Sequence, residues 1–313
     1  MFKQTKISKI TLGTAQLGLD YGVSNKIGKP DHKSALGILN FAIKNGINSF
    51  DTAPSYGNSE EILGSCFDRT GSDFQPIIIT KIPKIQFEKK SSFSEIYGKM
   101  KNSVINSMKR LGCSKIPICL YHHPQNAFDD FVINSLNKLK EEGLVESIGL
   151  STYTPDDVHK FLKIKEFDAI QIPINLFDLR LLNNGLIQEL SKANKIVFAR
   201  SIFLQGLFFL NPNKLPTHMS LSRKYLEELH NISNEYEISI PRLALTFARD
   251  IQGIDSLVIG VDDVIQLEMN LGILDSPPLS NKIIQRIYNT FNDIPEKIIN
   301  PNTWLINKMQ NEC

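Results

Sequence analysis

Asp51, Tyr56, Lys81 and His122 are the residues of this 313-residue chain whose types and positions point to proton chemistry. Asp51 and Tyr56 belong to Asp51-Thr52-Ala53-Pro54-Ser55-Tyr56-Gly57, which follows the apolar segment Gly46-Ile47-Asn48-Ser49-Phe50. Lys81 ends the run Pro76-Ile77-Ile78-Ile79-Thr80, and His122 ends Ile116-Pro117-Ile118-Cys119-Leu120-Tyr121. Three successive strand-like segments thus each finish in a group that holds or moves a proton. Free tyrosine titrates near about 10, too weak an acid for easy donation at neutral pH. An adjacent ammonium lowers that value, and a carboxylate fixes the ammonium. A histidine beside the phenol orients a substrate oxygen, and the whole stabilises charge growing on a carbonyl. Such a site supplies no hydride, so it needs a reduced cofactor. Taken singly, Asp51 reads equally as a cap, Tyr56 as a half-buried aromatic, Lys81 as a snorkelling strand end and His122 as a core histidine. Their recurrence at consecutive elements favours chemistry.

These groups need a scaffold that brings strand ends together. Strands rich in Ile, Val and Phe are expected at 7–12, 47–52, 77–81, 116–122, 146–151, 169–175, 196–201 and 256–261. Each is short enough for a buried parallel strand. Helices are expected at 33–45, 95–111, 129–142, 155–164, 182–193, 222–237 and 264–273, with a short amphipathic run after Gly57. Thr154-Pro155-Asp156-Asp157 offers an N-cap, Pro at N1 and two first-turn acids. Gly46, Gly112 and Gly143 stand where C-terminal caps belong. This alternation predicts an α/β fold, a (β/α)8 TIM barrel spanning 1–313 as one domain, with a C-terminal extension at about 275–313. A doubly wound open sheet is the alternative, but the glycines of Gly13-Thr14-Ala15-Gln16-Leu17-Gly18 are wrongly spaced for a dinucleotide fingerprint. In a barrel the C-terminal strand ends converge, so Asp51, Lys81 and His122 point into one pocket, which Tyr56 enters from a loop. The stretch 204–220 belongs to the same face and is placed to cover a ligand.

Composition narrows the function classes. With 35 basic and 33 acidic side chains, no basic groove for nucleic acid is indicated, and the lysine-rich 84–90 reads as a solvated loop. The 42% hydrophobic content is ordinary for a soluble protein. No run approaches the ~18 apolar residues of a membrane span. Met1-Phe2-Lys3-Gln4-Thr5-Lys6 lacks a signal-peptide core. Cys66, Cys113, Cys119 and Cys313 form no Cys-x-x-Cys pair, so free thiols and a cytoplasmic location are expected. Adjacent His122 and His123 on a strand face opposite ways, so no shared metal ion is expected.

Over about 7–274 the chain resembles the aldo-keto reductase family. The motifs are Gly46-Ile47-Asn48-Ser49-Phe50-Asp51-Thr52-Ala53 with Tyr56-Gly57, Thr80-Lys81, His122-His123-Pro124, Ile148-Gly149-Leu150-Ser151, Gln171 with Asn175, and Ile259-Gly260 with Asn270. The resemblance implies a TIM barrel that reduces an aldehyde or ketone, a small-molecule carbonyl substrate, with NADP(H) or NAD(H). It leaves oligomeric state open. It makes Tyr56 the proton donor, Lys81 the group that lowers its pKa, Asp51 the partner of Lys81, and His122 the residue that orients the carbonyl. By the same resemblance Ser151, Thr152 and Gln171 meet the nicotinamide carboxamide. Ser201, Phe203, Gln205 and Gly206 line the pyrophosphate region, and Gly260, Gln266 and Asn270 the adenosine end.

Three departures stand out. Thr152 occupies the place of a common Asn, which alters one carboxamide hydrogen bond. Arg200 occupies that of an aromatic that stacks on the nicotinamide, so its guanidinium is a cofactor contact that stacks there instead or a contact to substrate. Asp262 and Asp263 stand where NADP-preferring members carry basic or small polar residues. NADH is therefore expected to be usable with an unusually high ratio of NADH to NADPH activity, although the resemblance itself implies NADPH. The segment 13–24 resembles a bacterial subgroup near polysaccharide-building enzymes. It hints at a sugar-derived carbonyl, with Asp20 and Tyr21 as candidate contacts to substrate hydroxyls. Two rival readings use the same barrel: a Schiff-base lyase with Lys81 as nucleophile, and a cofactor-binding protein that serves a partner.

Overall fold

In the computed structural model, which describes residues 6–70, 74–88 and 90–304, strands and helices alternate along the chain. The first half runs β1 (Ile10–Gly13), α1 (Ala15–Gly18), α2 (His32–Lys44), β2 (Ser49–Asp51), α3 (Ser59–Thr70), β3 (Ile77–Ile82), α4 (Phe93–Leu111) and β4 (Ile116–Tyr121). Next come α5 (Asp130–Glu141), β5 (Val145–Ser151), α6 (Pro155–Leu162), β6 (Ala169–Pro173), α7 (Arg180–Asn183), α8 (Leu186–Lys192) and β7 (Ile196–Arg200). The chain continues through α9 (Arg223–Glu235), α10 (Ile240–Arg249), β8 (Ser256–Gly260), α11 (Val264–Leu274), α12 (Asn281–Phe291) and α13 (Glu296–Ile299). All strand pairs are parallel, and β8 closes on β1, giving a (β/α)8 barrel.

The pairing register explains why this barrel carries a site. Alternation sends every second side chain inward. Ile77, Ile79, Ile118, Leu120, Ala169 and Phe198 fill the interior as one apolar cluster. Asp51, Lys81, Ser151, Gln171 and Arg200 lie on the same inward rows, further toward the C-terminal strand ends. Outward residues such as Ile78, Cys119 and Tyr121 join the larger core beneath the helices. The strand sequences therefore divide into an apolar plug and a polar crown. Cys119 is a buried core thiol, as its strand position suggested. Cys313 lies outside the described residues.

Several element boundaries differ from expectation. The run at 182–193 forms two helices, because Gly185 takes φ 69 and interrupts it. No helix was expected at 240–249, where α10 starts after Ser239 with Pro241 in its first turn. Leu243 to Ala248 are all buried, yet Arg242, Thr246 and Arg249 recur at i, i+4 and i+7, so the helical period is present in the sequence. The stretch after β7 folds into short 3-10 turns at Leu204–Phe209, Pro212–Lys214 and Thr217–Ser222. After α11, α12 and α13 bring Pro301 and Asn302 back to the mouth of the barrel, while residues 305–313 of the expected tail lie outside the described residues. No described helix is long and apolar enough to cross a membrane.

Candidate active site

Asp51 ends β2 and Lys81 lies near the end of β3, and both are buried. Lys81 Nζ donates to Asp51 Oδ1 at 2.7 Å and to the Thr52 carbonyl at 2.9 Å. Gln171 Nε2 donates to the same Asp51 oxygen at 2.7 Å. The ion pair is thus held from two strands and has a third hydrogen bond from β6. With only 1% of its surface exposed, Lys81 lies beneath the cavity wall instead of lining it. A Schiff-base nucleophile must reach its carbonyl, and this ammonium does not.

Tyr56 sits above that pair, with Lys81 Nζ 4.8 Å from its ring centroid. Its loop is tied down by hydroxyls: Thr14 Oγ1 donates to the Asp51 carbonyl at 2.8 Å and pairs with Ser59 Oγ at 2.6 Å, which pairs with Thr52 Oγ1 at 2.9 Å. Close backbone packing completes the clamp, since a Cβ on Gly18 would fall 1.8 Å from the Tyr56 carbonyl oxygen. The His122 ring meets the Tyr56 ring edge-on at 5.9 Å. The four expected residues therefore converge.

The electrostatics differ from expectation in one respect. Burial, then the Asp51 carboxylate, push the Tyr56 phenol well above its ordinary value, with Arg200 the group that opposes them. Lys81 donates to Asp51 and the Thr52 carbonyl, so its charge lies against the carboxylate that acts in the opposite sense on the phenol. Tyr56 is accordingly protonated. Burial, followed by the charges of Lys81, His123 and Arg200, pushes His122 down to about 2, leaving a neutral imidazole.

A cavity of about 770 Å³ opens over these groups. Ser151, Gln171, Arg200, Ser201, Phe203, Gln205, Gly206, Gly260, Asp262, Gln266 and Asn270 all line it, together with Asp51, Tyr56 and His122. Thr152 is a correction. Ser151 faces inward, so its neighbour faces out, and the Thr152 hydroxyl donates to the Gln171 carbonyl at 3.3 Å. Its contribution is a backbone carbonyl that accepts from Arg200 at 2.8 Å. Asp263 is also displaced from its expected place, because its carboxylate caps α11 by accepting from Gln266 N–H at 2.8 Å. Asp262 alone faces the cavity, and Gln266 Nε2 donates to it at 3.2 Å. Asp20 instead accepts from the Lys29 N–H at 2.6 Å, closing a turn, while Tyr21 lines the cavity.

Other lining residues were not anticipated as contacts, among them Gln16, His123 and Tyr153. The two histidines do not face opposite ways: β4 ends at Tyr121, strand alternation lapses, and their rings stack at 4.8 Å. His123 stacks in turn on Tyr153 at 6.3 Å, and the Arg200 guanidinium lies 4.7 Å from the Tyr153 ring centroid. Nothing in the local sequence signals this column, because its members come from three separate loops or strand ends. Among the described residues, no group of three or more His, Cys, Asp and Glu is placed to hold a metal ion.

The donor set fits a nicotinamide dinucleotide. The cavity has the size of a cofactor site, with polar side chains at Ser151 and Gln171. The loop after β7 carries positive φ at Ser201, Leu204 and Gln205, regions unfavourable for residues with a side chain and of the kind that cluster at ligand clamps, while Gly206 adopts its positive φ freely.

The model of the Aldo/keto reductase family matches residues 9–290. The chain belongs to the aldo/keto reductase family. It is 25% identical over 300 residues to the NADH-specific methylglyoxal reductase of Escherichia coli, covering 86% of this chain and 90% of that one. It is 27% identical over 300 residues to an uncharacterized oxidoreductase of Bacillus subtilis, YqkF, with 90% and 92% coverage. Among solved structures, the glycerol dehydrogenase of Gluconobacter oxydans superposes with a TM-score of 0.72 at 21% identity, covering 95% and 94%. The holo form of an aldo-keto reductase from Bacillus halodurans gives the same TM-score and identity, covering 94% and 95%. These two likenesses concern the fold. As an aldo/keto reductase, the protein is an NAD(P)-dependent oxidoreductase of carbonyl compounds.

Proposed function

We infer that this aldo/keto reductase reduces a small aldehyde or ketone with NADH, with Tyr56 giving the proton to the carbonyl oxygen. The observation that carries this reading is the buried Lys81–Asp51–Gln171 unit beneath Tyr56, with His122 edge-on to the phenol at the floor of the cavity. When bound, the reduced nicotinamide supplies a hydride. The chain's own residues do the rest. A neutral His122 donates or accepts a hydrogen bond without adding charge, so it orients the carbonyl oxygen beside the phenol. Tyr56 stays protonated until negative charge builds on that oxygen. As its proton leaves, the adjacent Lys81 ammonium, held in place by Asp51, offsets the phenolate. Ser151 and the free carbonyl of Gln171 are the side-chain groups available to a carboxamide.

The preference for NADH rests on Asp262. A carboxylate facing the adenosine end repels a 2′-phosphate and accepts hydrogen bonds from a 2′,3′-diol. The Escherichia coli relative is named as NADH-specific, which supports the same reading. A sugar-derived substrate suits the hydrogen-bonding groups of Tyr21, Ser55 and His123 along the wall. Steady-state kinetics with methylglyoxal test the cofactor assignment. The expected result is a higher kcat/KM with NADH than with NADPH, and a gain in NADPH use of about tenfold in Asp262→Ser. A large NADPH preference in the wild type contradicts it.

A further inference from the structure

We propose that Arg200 recognises an anionic group, a carboxylate or a phosphate, carried by the carbonyl substrate. The proposal rests on the reductase reading and names its substrate class. Arg200 ends β7, is partly buried and lines the cavity. Its guanidinium donates to two neutral acceptors, the Thr152 carbonyl at 2.8 Å and Ser201 Oγ at 3.0 Å. Three of its five N–H donors remain for a ligand. Among the described residues no carboxylate pairs with it.

Other partly buried arginines are treated differently. Arg110 pairs with Glu60 at 2.6 Å, Arg180 with Asp178 at 2.7 Å, Arg249 with Asp250 at 2.7 Å and Arg286 with Glu228 at 3.1 Å. Arg242 also lacks a carboxylate but does not line the cavity. Withdrawing a guanidinium from water without a counter-charge is unfavourable. Here the side chain is nevertheless propped in place by two neutral acceptors and by Tyr153, whose own ring rests on His123. A fixed, unmatched fork of this kind is complementary to an arriving carboxylate or phosphate.

The substrate side of the cavity is favoured over the dinucleotide's pyrophosphate. Arg200 is one of the charges acting on Tyr21, Tyr56, His122 and His123, all of them around the reacting centre. The guanidinium is joined to His122 through Tyr153 and His123, whereas Phe203, Gln205 and Gly206, expected at the pyrophosphate, lie further along the loop after β7. An anion held by Arg200 would bring its own carbonyl carbon to the phenol and imidazole.

Matched aldehydes test this: succinic semialdehyde against butanal, and glyceraldehyde 3-phosphate against glyceraldehyde. The readout is the ratio of kcat/KM for the charged over the neutral compound within one protein, with NADH affinity measured in parallel by fluorescence titration. For at least one pair the wild type should favour the charged compound by about tenfold or more. That ratio should fall about tenfold in Arg200→Met and recover partly in Arg200→Lys, which restores charge without the fork. Equal ratios in the wild type overturn the proposal. So does an unchanged ratio in Arg200→Met with NADH binding weakened, which would assign the guanidinium to the pyrophosphate. If the wild type reduces none of the four aldehydes with either nucleotide, the reductase reading itself falls, and the proposal with it.

Discussion

His122 and Tyr56 are both held in their neutral forms, one by a depressed and the other by an elevated pKa. The histidine has a measurable consequence for stability. Its folded value is about 2, against about 6.5 for a free imidazole. Between those values the unfolded chain binds a proton that the native state refuses, so this contribution is complete above pH 6.5 and declines as pH falls. An NMR titration should show no His122 transition between pH 5 and 8, and His122→Gln should lose less stability than the wild type between pH 7 and 5. A His122 transition near pH 6.5 contradicts the neutral assignment. The residue types of the site were legible because each stands at a strand end or just beyond one. Thr152 was misplaced although alternation from Ser151 already turns it outward. Asp263 likewise carried a visible capping signal, Asp263-Val264-Ile265-Gln266. The stacking of His122, His123, Tyr153 and Arg200 was not legible, because loop geometry, not strand period, brings those rings together.

At the scale of elements, the clamp between α1 and the loop after β2 decides where Tyr56 stands. Adding a methyl group at Gly18 would force it against the Tyr56 carbonyl oxygen, whereas Gly37 on α2 has no neighbouring atom within 4 Å of a built Cβ. Gly18→Ala should therefore lower kcat and reduce stability by about 1–3 kcal/mol. Gly37→Ala should leave kcat unchanged and stabilise by about 0.5–1 kcal/mol. Thermal melts and turnover of the two variants compare these outcomes, and equal behaviour would show that the clamp does not position the loop. The strands were readable to within a few residues because each is short and apolar. α10 was legible in the sequence and was missed, since Arg242, Thr246 and Arg249 mark one helical face, whereas the break between α7 and α8 depended on the single conformation of Gly185.

For the whole molecule, barrel closure turns eight local strand ends into one site. The apolar plug of Ile79, Ile118, Leu120 and Phe198 gives the crown above it a rigid floor. Lys81, Asp51 and Gln171 come from three strands, and only the closed sheet brings them within hydrogen-bond distance. Alternating strands and helices made that architecture legible. The loops that select a substrate and a nucleotide follow no such period, so their contacts became visible only in three dimensions. The most direct test of the account is NADH oxidation with an aldehyde by the wild type and by Tyr56→Phe, with NADH binding measured alongside. The account predicts that Tyr56→Phe loses about 10²–10⁴ in kcat while NADH binding is retained. Turnover equal to that of the wild type would contradict it.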